Sequence, residues 1–295
     1  MFVMEEKSLF YEESGQTNLL GMVFAYTAVI VFTFIMGFLY EVFIRIIPFV
    51  YINFLLTFGY GAAVGFFVML ISRIVKCRSR KGRIFMVVFA GLAANFFQWA
   101  AFFSYITDMQ IPTIKEYFYQ IEMCLNPDYL FDFLGFVMKY GVWGFSGGPV
   151  NGFLLAIVWA VEALMIWGIA IAVVWKSPKR PYSELHGKWY ERRIIDHDFE
   201  FIAIGKRMVE KLTENPLIAI QSLQKGDAYR HTQISLFYLE NENTQYLTIE
   251  KVYVDRKNSG KKKTELLVNN FAIDSMTARE IMNTFPHRKG RIDIL

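Results

Sequence analysis

Four long runs of uncharged, mostly apolar residues occupy most of the first 175 residues of this chain. They cover residues 19–40, 49–71, 84–106 and 151–175, and the last is interrupted only by Glu162. About 20 consecutive apolar residues in a helix are enough to cross the hydrocarbon core of a bilayer. The runs therefore predict a transmembrane domain of four helices over residues 19–175.

Basic residues cluster beside these runs. Residues 76–83, after the second run, carry five of them and residues 179–180, after the fourth run, carry two: Lys76, Arg78, Arg80, Lys81, Arg83, Lys179 and Arg180. Cytoplasmic loops are enriched in Lys and Arg, and such residues contact anionic headgroups. We therefore expect these seven side chains to contact headgroups. Residues 107–150, acidic to neutral, should lie outside, and both termini, including segment 1–18, should be cytoplasmic.

Within the outside segment, residues 129–143 contain an apolar stretch that is too short to cross a bilayer. Two interpretations remain open: a helix lying in the interface, or a shallow re-entrant hairpin.

The pattern changes in residues 181–295. Alternating apolar and polar residues predict three strands, at 231–240, 244–255 and 266–273. Helical spacing and capping residues predict helices at 199–212, at 216–223 and from the Asp274–Ser275 cap to Phe285. The expected fold class is an all-α membrane bundle joined to a small soluble α+β domain with an antiparallel meander.

Glu162 is the most informative single residue, because a carboxylate inside a membrane is costly unless it is paired, hydrated or protonated. Asn95 and Gln98 lie on one face of the third run and are its candidate partners. Two interpretations stay open. The three residues form a functional polar site, or a protonated Glu162 bonds Asn95 or Gln98 and holds the helices together.

Small residues recur at four-residue spacing on two of the runs, as Gly61 and Gly65 and as Ala90 and Ala94. Such spacing lets helix backbones approach closely. It predicts helix packing, either within one chain or across a homo-oligomer.

No motif for soluble catalysis, nucleotide binding or zinc binding is present, so we predict no catalytic residue, metal or cofactor. The two cysteines, Cys77 and Cys124, are expected on opposite sides of the membrane and hence unpaired. The soluble half balances its basic residues with acidic ones, which disfavours a nucleic-acid partner. The chain has no glycosylation sequon, which favours a bacterial inner membrane as its location.

Three functions fit these features. The first is a non-enzymatic membrane protein that anchors a cytoplasmic module for sensing, scaffolding or assembly with a protein partner. The second is a small oligomeric transporter or channel with a polar path at Glu162, Asn95 and Gln98. The third is a membrane-embedded enzyme acting on a lipid, which lacks an evident second catalytic group at the depth of Glu162.

Overall fold

A computed structural model describes residues 8–47, 49–108, 110–141, 144–145, 148–255 and 261–290. The chain divides into two compact units, one spanning Gly15–Ser177 and the other combining the residues up to Ser14 with those from Pro178 onward.

The first unit is helical. Its helices are α1 (Leu19–Ile46), α2 (Val50–Ile74), α3 (Arg80–Asp108), α4 (Ile114–Cys124), α5 (Pro127–Tyr140) and α6 (Gly152–Lys176). The helices α1, α2, α3 and α6 are each long and apolar enough to cross a membrane. This confirms the four predicted helices. Three of them, α1, α2 and α3, extend beyond the predicted runs, because helical hydrogen bonding continues through the charged residues at their ends.

The four long helices enclose an apolar core. Its buried side chains include Ala25, Val29, Val64, Val68, Met86, Val87, Ala90, Ala94, Ile166 and Ala170. Because the outer surfaces of the same helices are also apolar, their residues form no polar face of the kind that a soluble helix shows.

The two short helices α4 and α5 have well-formed starts. Thr113 and Glu116 make a reciprocal capping box on α4, and Pro127 opens α5 after the Asn126 cap. A second buried cluster links these helices to α3 and α6; it includes Phe103, Tyr117, Val137 and Leu155. Residues 129–140 thus belong to one continuous helix. Residues 142–143 of the predicted stretch lie outside the described residues.

One end of the helical unit is tied together by backbone bonds. The N–H of Gly15 donates to the Arg78 carbonyl, and the Arg78 N–H donates to the Gln16 carbonyl, both at 3.1 Å. At this end the Arg80 guanidinium also stacks on the Trp175 ring at 4.2 Å. The start of α1, the turn between α2 and α3 and the end of α6 therefore share one end of the unit.

The second unit is an α+β domain. Its strands are β3 (Tyr182–Ser183), β4 (Lys188–Trp189), β5 (Glu191–Ile195), β6 (Arg230–Tyr238), β7 (Thr244–Asp255), β8 (Lys261–Asp274) and β9 (His287–Lys289); β1 (Gly144–Phe145) and β2 (Gly148–Pro149) pair within the helical unit. A sheet of five antiparallel strands runs in the order β8-β7-β6-β5-β9. The predicted meander is confirmed as β6, β7 and β8, and β5 and β9 were not predicted.

Three short helices, α7 (Gly205–Glu214), α8 (Pro216–Gln221) and α9 (Ser275–Thr284), complete this unit. The predicted helix at 199–212 begins later, because the backbone of Phe199 exchanges hydrogen bonds with Thr232 of β6. Asp274 caps α9 as expected, accepting from the Thr277 N–H. The helices and the sheet share one apolar core, formed among others by Leu212, Ile220, Ile234, Leu236, Leu247, Ile249, Phe271 and Ile281.

Residues near the N-terminus extend this sheet. The Tyr11 N–H donates to the Asn270 carbonyl and the Ala272 N–H to the Leu9 carbonyl, each at 2.9 Å. The Phe10 ring packs edge-on against Phe271. The sequence pattern assigned residues 1–18 to a separate segment, whereas residues 9–11 lie along the edge strand β8.

Candidate functional site

Glu162, on α6, makes side-chain hydrogen bonds with two other helices. Its Oε1 atom lies 2.5 Å from the Tyr40 hydroxyl oxygen of α1 and accepts from the Gln98 Nε2 of α3 at 2.7 Å. Tyr40 and Gln98 are buried, and Glu162 itself is half-buried. The carboxyl group thus joins three of the four long helices.

The fourth long helix joins through Thr57. The hydroxyl oxygens of Tyr40 and Thr57 are 2.7 Å apart, and the Thr57 hydroxyl donates to the Asn53 carbonyl of its own helix at 2.9 Å. We call the four side chains of Tyr40, Thr57, Gln98 and Glu162 the polar layer. It connects α1, α2, α3 and α6 at one level.

This level lies nearer one end of the bundle. At a rise of about 1.5 Å per residue, the four residues sit roughly 9–15 Å from the end of α1, the start of α2, the end of α3 and the start of α6. The basic turn between α2 and α3 is at the opposite end.

An ion pair lies next to the polar layer. Glu41 is buried and binds Arg45, one turn further along α1, at 2.6 Å. The Arg45 guanidinium also stacks on the Tyr105 and Phe102 rings, at 4.1 and 5.2 Å from their centroids. The pair thus packs among aromatic rings of α3. Arg45 is close enough to Glu162 to interact with it electrostatically.

Of the three residues predicted to form an intramembrane polar site, Glu162 and Gln98 bond to each other and Asn95 does not join them. Gln98 bonds Glu162, but the Asn95 side chain donates to the Gly91 carbonyl of its own helix at 2.9 Å. Tyr40 and Thr57 take part instead. The sequence carries little signal for them, since a Tyr near the end of a span is typical of the interface and a Thr inside a helix commonly bonds its own backbone.

The predicted packing residues pack within the single chain. A Cβ atom added to Gly61 would lie 2.8 Å from the Ile166 carbonyl oxygen, and one added to Gly65 would lie 2.6 Å from that of Ala170. These two glycines therefore let α2 lie directly against α6. Ala90 and Ala94 are fully buried, and the Ala94 carbonyl accepts from the Tyr60 hydroxyl at 3.0 Å.

The basic residues have several different environments. Arg78 donates to the Lys76 carbonyl and to Gln16, Arg83 donates to the Cys77 carbonyl, and Arg80 covers Trp175. In the α+β unit, Arg180 donates twice to the Tyr190 carbonyl, at 3.0 and 3.2 Å. Lys76 and Lys81 are exposed, and Lys179 is half-buried.

Among the described residues, no three or more His, Cys, Asp or Glu side chains converge in a group that could hold a metal ion. Cys77 and Cys124 are both buried and free. The polar layer, with one carboxyl, one amide and two hydroxyl groups, is suited to binding a proton or to holding α1, α2, α3 and α6 together.

Comparison with known proteins identifies no relative: the chain matches no family model, no curated protein and no solved structure.

Proposed function

We propose that this chain is a multi-pass membrane protein, with both termini in the cytoplasm, whose helical bundle anchors the α+β domain as a non-enzymatic module for sensing, scaffolding or assembly. The bundle would sit in a cell membrane, with the exposed basic residues at the cytoplasmic headgroups. A cytoplasmic protein is the partner that this function requires.

Charge supports the orientation. The end of the bundle with the α2–α3 turn carries the cluster of five Lys and Arg residues, whereas the segment between α3 and α6 also contains Glu116, Glu122, Asp128 and Asp132. Basic residues next to a span favour the cytoplasmic side.

The observation that carries the proposal is the pairing of residues 9–11 with β8. Residues 9–11 precede α1 and pair with residues 270–272, which follow α6. Because both stretches belong to one sheet, they must lie on the same side of any membrane, and the chain between them must cross it an even number of times. Four crossing helices satisfy that requirement.

The same pairing gives the α+β domain two covalent links to the bundle, at Ser14–Gly15 and at Ser177–Pro178. Within the domain, both links start close to Asn270 of β8. The Tyr11 N–H donates to the Asn270 carbonyl, and the Asn270 side chain donates to the Lys179 carbonyl at 2.9 Å. A domain tied at two points has its orientation restricted more than one on a single tether, which suits a module that must present a surface to a partner.

The alternative function of transport receives less support from the polar contacts. Away from the polar layer, Thr33, Ser72 and Asn95 donate to carbonyl groups of their own helices, and the surrounding core is apolar. These side chains form no continuous row between the two ends of the described helices. An ion path along the monomer would need such a row or a water-filled cavity.

A flux assay distinguishes anchoring from transport. We expect purified protein in proteoliposomes to pass no H⁺, Na⁺ or K⁺ above the level of empty liposomes. A flux present in the wild type and lost in Glu162→Gln, with both proteins incorporated equally, would replace the anchoring proposal by the transport one.

Cysteine labelling in intact cells tests the topology. In a background with Cys77 and Cys124 replaced by Ser, a cysteine at Asp128 should react with an impermeant reagent from outside, and one at Ser79 should react only after permeabilisation. Equal labelling of the two positions in unbroken cells would refute the arrangement.

A further inference from the structure

A single row of hydrogen bonds passes through the polar layer. It runs from Glu162 to Tyr40, from Tyr40 to Thr57, and from Thr57 to the Asn53 carbonyl, with oxygen–oxygen distances of 2.5, 2.7 and 2.9 Å. Each of these three contacts needs one hydrogen atom between its oxygens. The number of available hydrogens therefore depends on the protonation state of Glu162.

The two hydroxyl groups supply one hydrogen each, and the Asn53 carbonyl supplies none. If Glu162 is ionised, two hydrogens serve three contacts, so one contact places two oxygens together with no hydrogen between them. If Glu162 carries a proton on Oε1, it donates to Tyr40, Tyr40 donates to Thr57, and Thr57 donates to the Asn53 carbonyl. All three contacts are then satisfied.

Neighbouring groups supply no third hydrogen. The Tyr60 ring stacks on Tyr40, but its hydroxyl donates to the Ala94 carbonyl. The Tyr117 hydroxyl contacts the Phe34 and Phe97 carbonyls. Gln98 donates to the same Oε1 atom of Glu162, which either form of the carboxyl group accepts.

The charged neighbours give the ionised form little support. Arg45 is the nearby cation, and its guanidinium is bound to the buried carboxylate of Glu41. Glu41 and Arg45 together carry no net charge, so little positive charge is left to balance an ionised Glu162 in a region of low dielectric.

We propose that the polar layer is a binding site for one proton, held by Glu162 and shared along the row Glu162–Tyr40–Thr57. Loss of that proton is balanced by a shift along the row: the Glu162 hydrogen moves to Tyr40, the Tyr40 hydrogen moves to Thr57, and the Thr57 hydrogen leaves to water. The deprotonated row keeps its first two hydrogen bonds and loses only the bond to the Asn53 carbonyl.

The geometry also indicates the side of exchange. The row ends at the Asn53 carbonyl, in the first turn of α2, at the end of the bundle away from the basic turn between α2 and α3. Under the proposed topology this is the non-cytoplasmic side, so the bound proton would equilibrate with the exterior. The proton site itself rests on the bundle alone and does not require the anchoring function.

Infrared spectroscopy of the purified full-length protein in lipid nanodiscs tests this proposal. At neutral pH we expect the carbonyl stretch of a protonated carboxyl group, absent in Glu162→Gln and retained in Glu122→Gln, a control at an exposed glutamate of α4 outside the polar layer. In Tyr40→Phe the band should move to higher frequency, because the acid loses its hydrogen-bond acceptor.

Each other outcome counts against the proposal. A wild-type spectrum without the band means that Glu162 is ionised, and a band that survives Glu162→Gln belongs to another group. A band that disappears in Glu162→Gln but does not move in Tyr40→Phe shows that no hydrogen is donated to Tyr40. If Glu162→Gln does not fold, the Tyr40→Phe shift alone decides the outcome.

Discussion

The same four helices are held together in two different ways along their length. At the polar layer, side chains of all four helices exchange hydrogen bonds, whereas closer to the basic end the helices meet through small residues and apolar side chains. Hydrogen bonds fix which atoms face one another, while small residues fix how closely the backbones approach. The comparison suggests that the polar layer sets the register of the bundle and that the packed region supplies most of its stability.

The largest effect is expected where the small residues Gly61 and Gly65 let α2 pack against α6. Gly65→Val introduces a Cβ that would lie 2.6 Å from the Ala170 carbonyl oxygen, so α2 and α6 must separate. We expect a loss of about 1–3 kcal/mol in unfolding free energy, measured by steric trapping in bicelles. Gly59→Val, on the same helix with open space around its Cβ position, is the control. Equal losses in both variants would show that helix propensity, and not close packing, is responsible.

Removing the carboxyl group from the polar layer should have a smaller effect. Glu162→Leu leaves Tyr40 and Gln98 without their shared hydrogen-bond partner and should cost about 1–2 kcal/mol. Glu162→Gln should be nearly silent if Glu162 is neutral, because an amide also offers a donor and an acceptor. A large loss in Glu162→Gln would indicate that a charge is required at this position.

A polar residue outside the layer should matter less still. Asn95 bonds only its own helix, so Asn95→Leu should change the unfolding free energy by about 0.5 kcal/mol or less. Gln98→Leu, three positions further along α3, should cost clearly more, since Gln98 bonds Glu162 across the bundle. The same unfolding measurement applies to both. If the two variants behave alike, the hydrogen bond across the helices adds no stability.

The smallest effect is expected at α4, which packs on the side of the polar layer away from the basic turn between α2 and α3. Burial raises the pKa of the Cys124 thiol on α4 to about 11. The reactive thiolate is therefore scarce at pH 8, and alkylation should be slow and should accelerate as the pH approaches 11. Tyr117→Phe removes the hydroxyl contacts with α1 and α3 and should speed labelling of Cys124, as followed by mass spectrometry. Fast labelling of the wild type at pH 8 would show that α4 is not packed as described.

Composition made the four long helices predictable, because few other structures contain such uncharged runs. Gln98 was also predictable from the sequence, since it is polar and lies at the depth of Glu162. Tyr40 and Thr57 could not be predicted as members of the polar layer. The helices α1 and α2 are apolar on all sides, so the face that points inward depends on how the helices pack.

In the α+β unit, β6, β7 and β8 follow from alternating apolar residues. The strands β5 and β9 were missed because their sequences, Glu191–Ile195 and His287–Lys289, are short and largely charged. Residues 9–11 carry no strand signal of their own, and their partner lies at the far end of the chain. Local sequence patterns do not predict pairing between residues that lie so far apart in the chain.

The pairing of residues 9–11 with β8 also has a consequence for biosynthesis. The partner residues, 270–272, leave the ribosome only after all four long helices have been made. The pairing therefore cannot form before β8 has been synthesised, which makes it a long-range folding step. A chain that inserted with an odd number of crossings would hold the two stretches on opposite sides and would never close the sheet. Under the proposed topology, this pairing therefore forms only in chains that cross the membrane an even number of times.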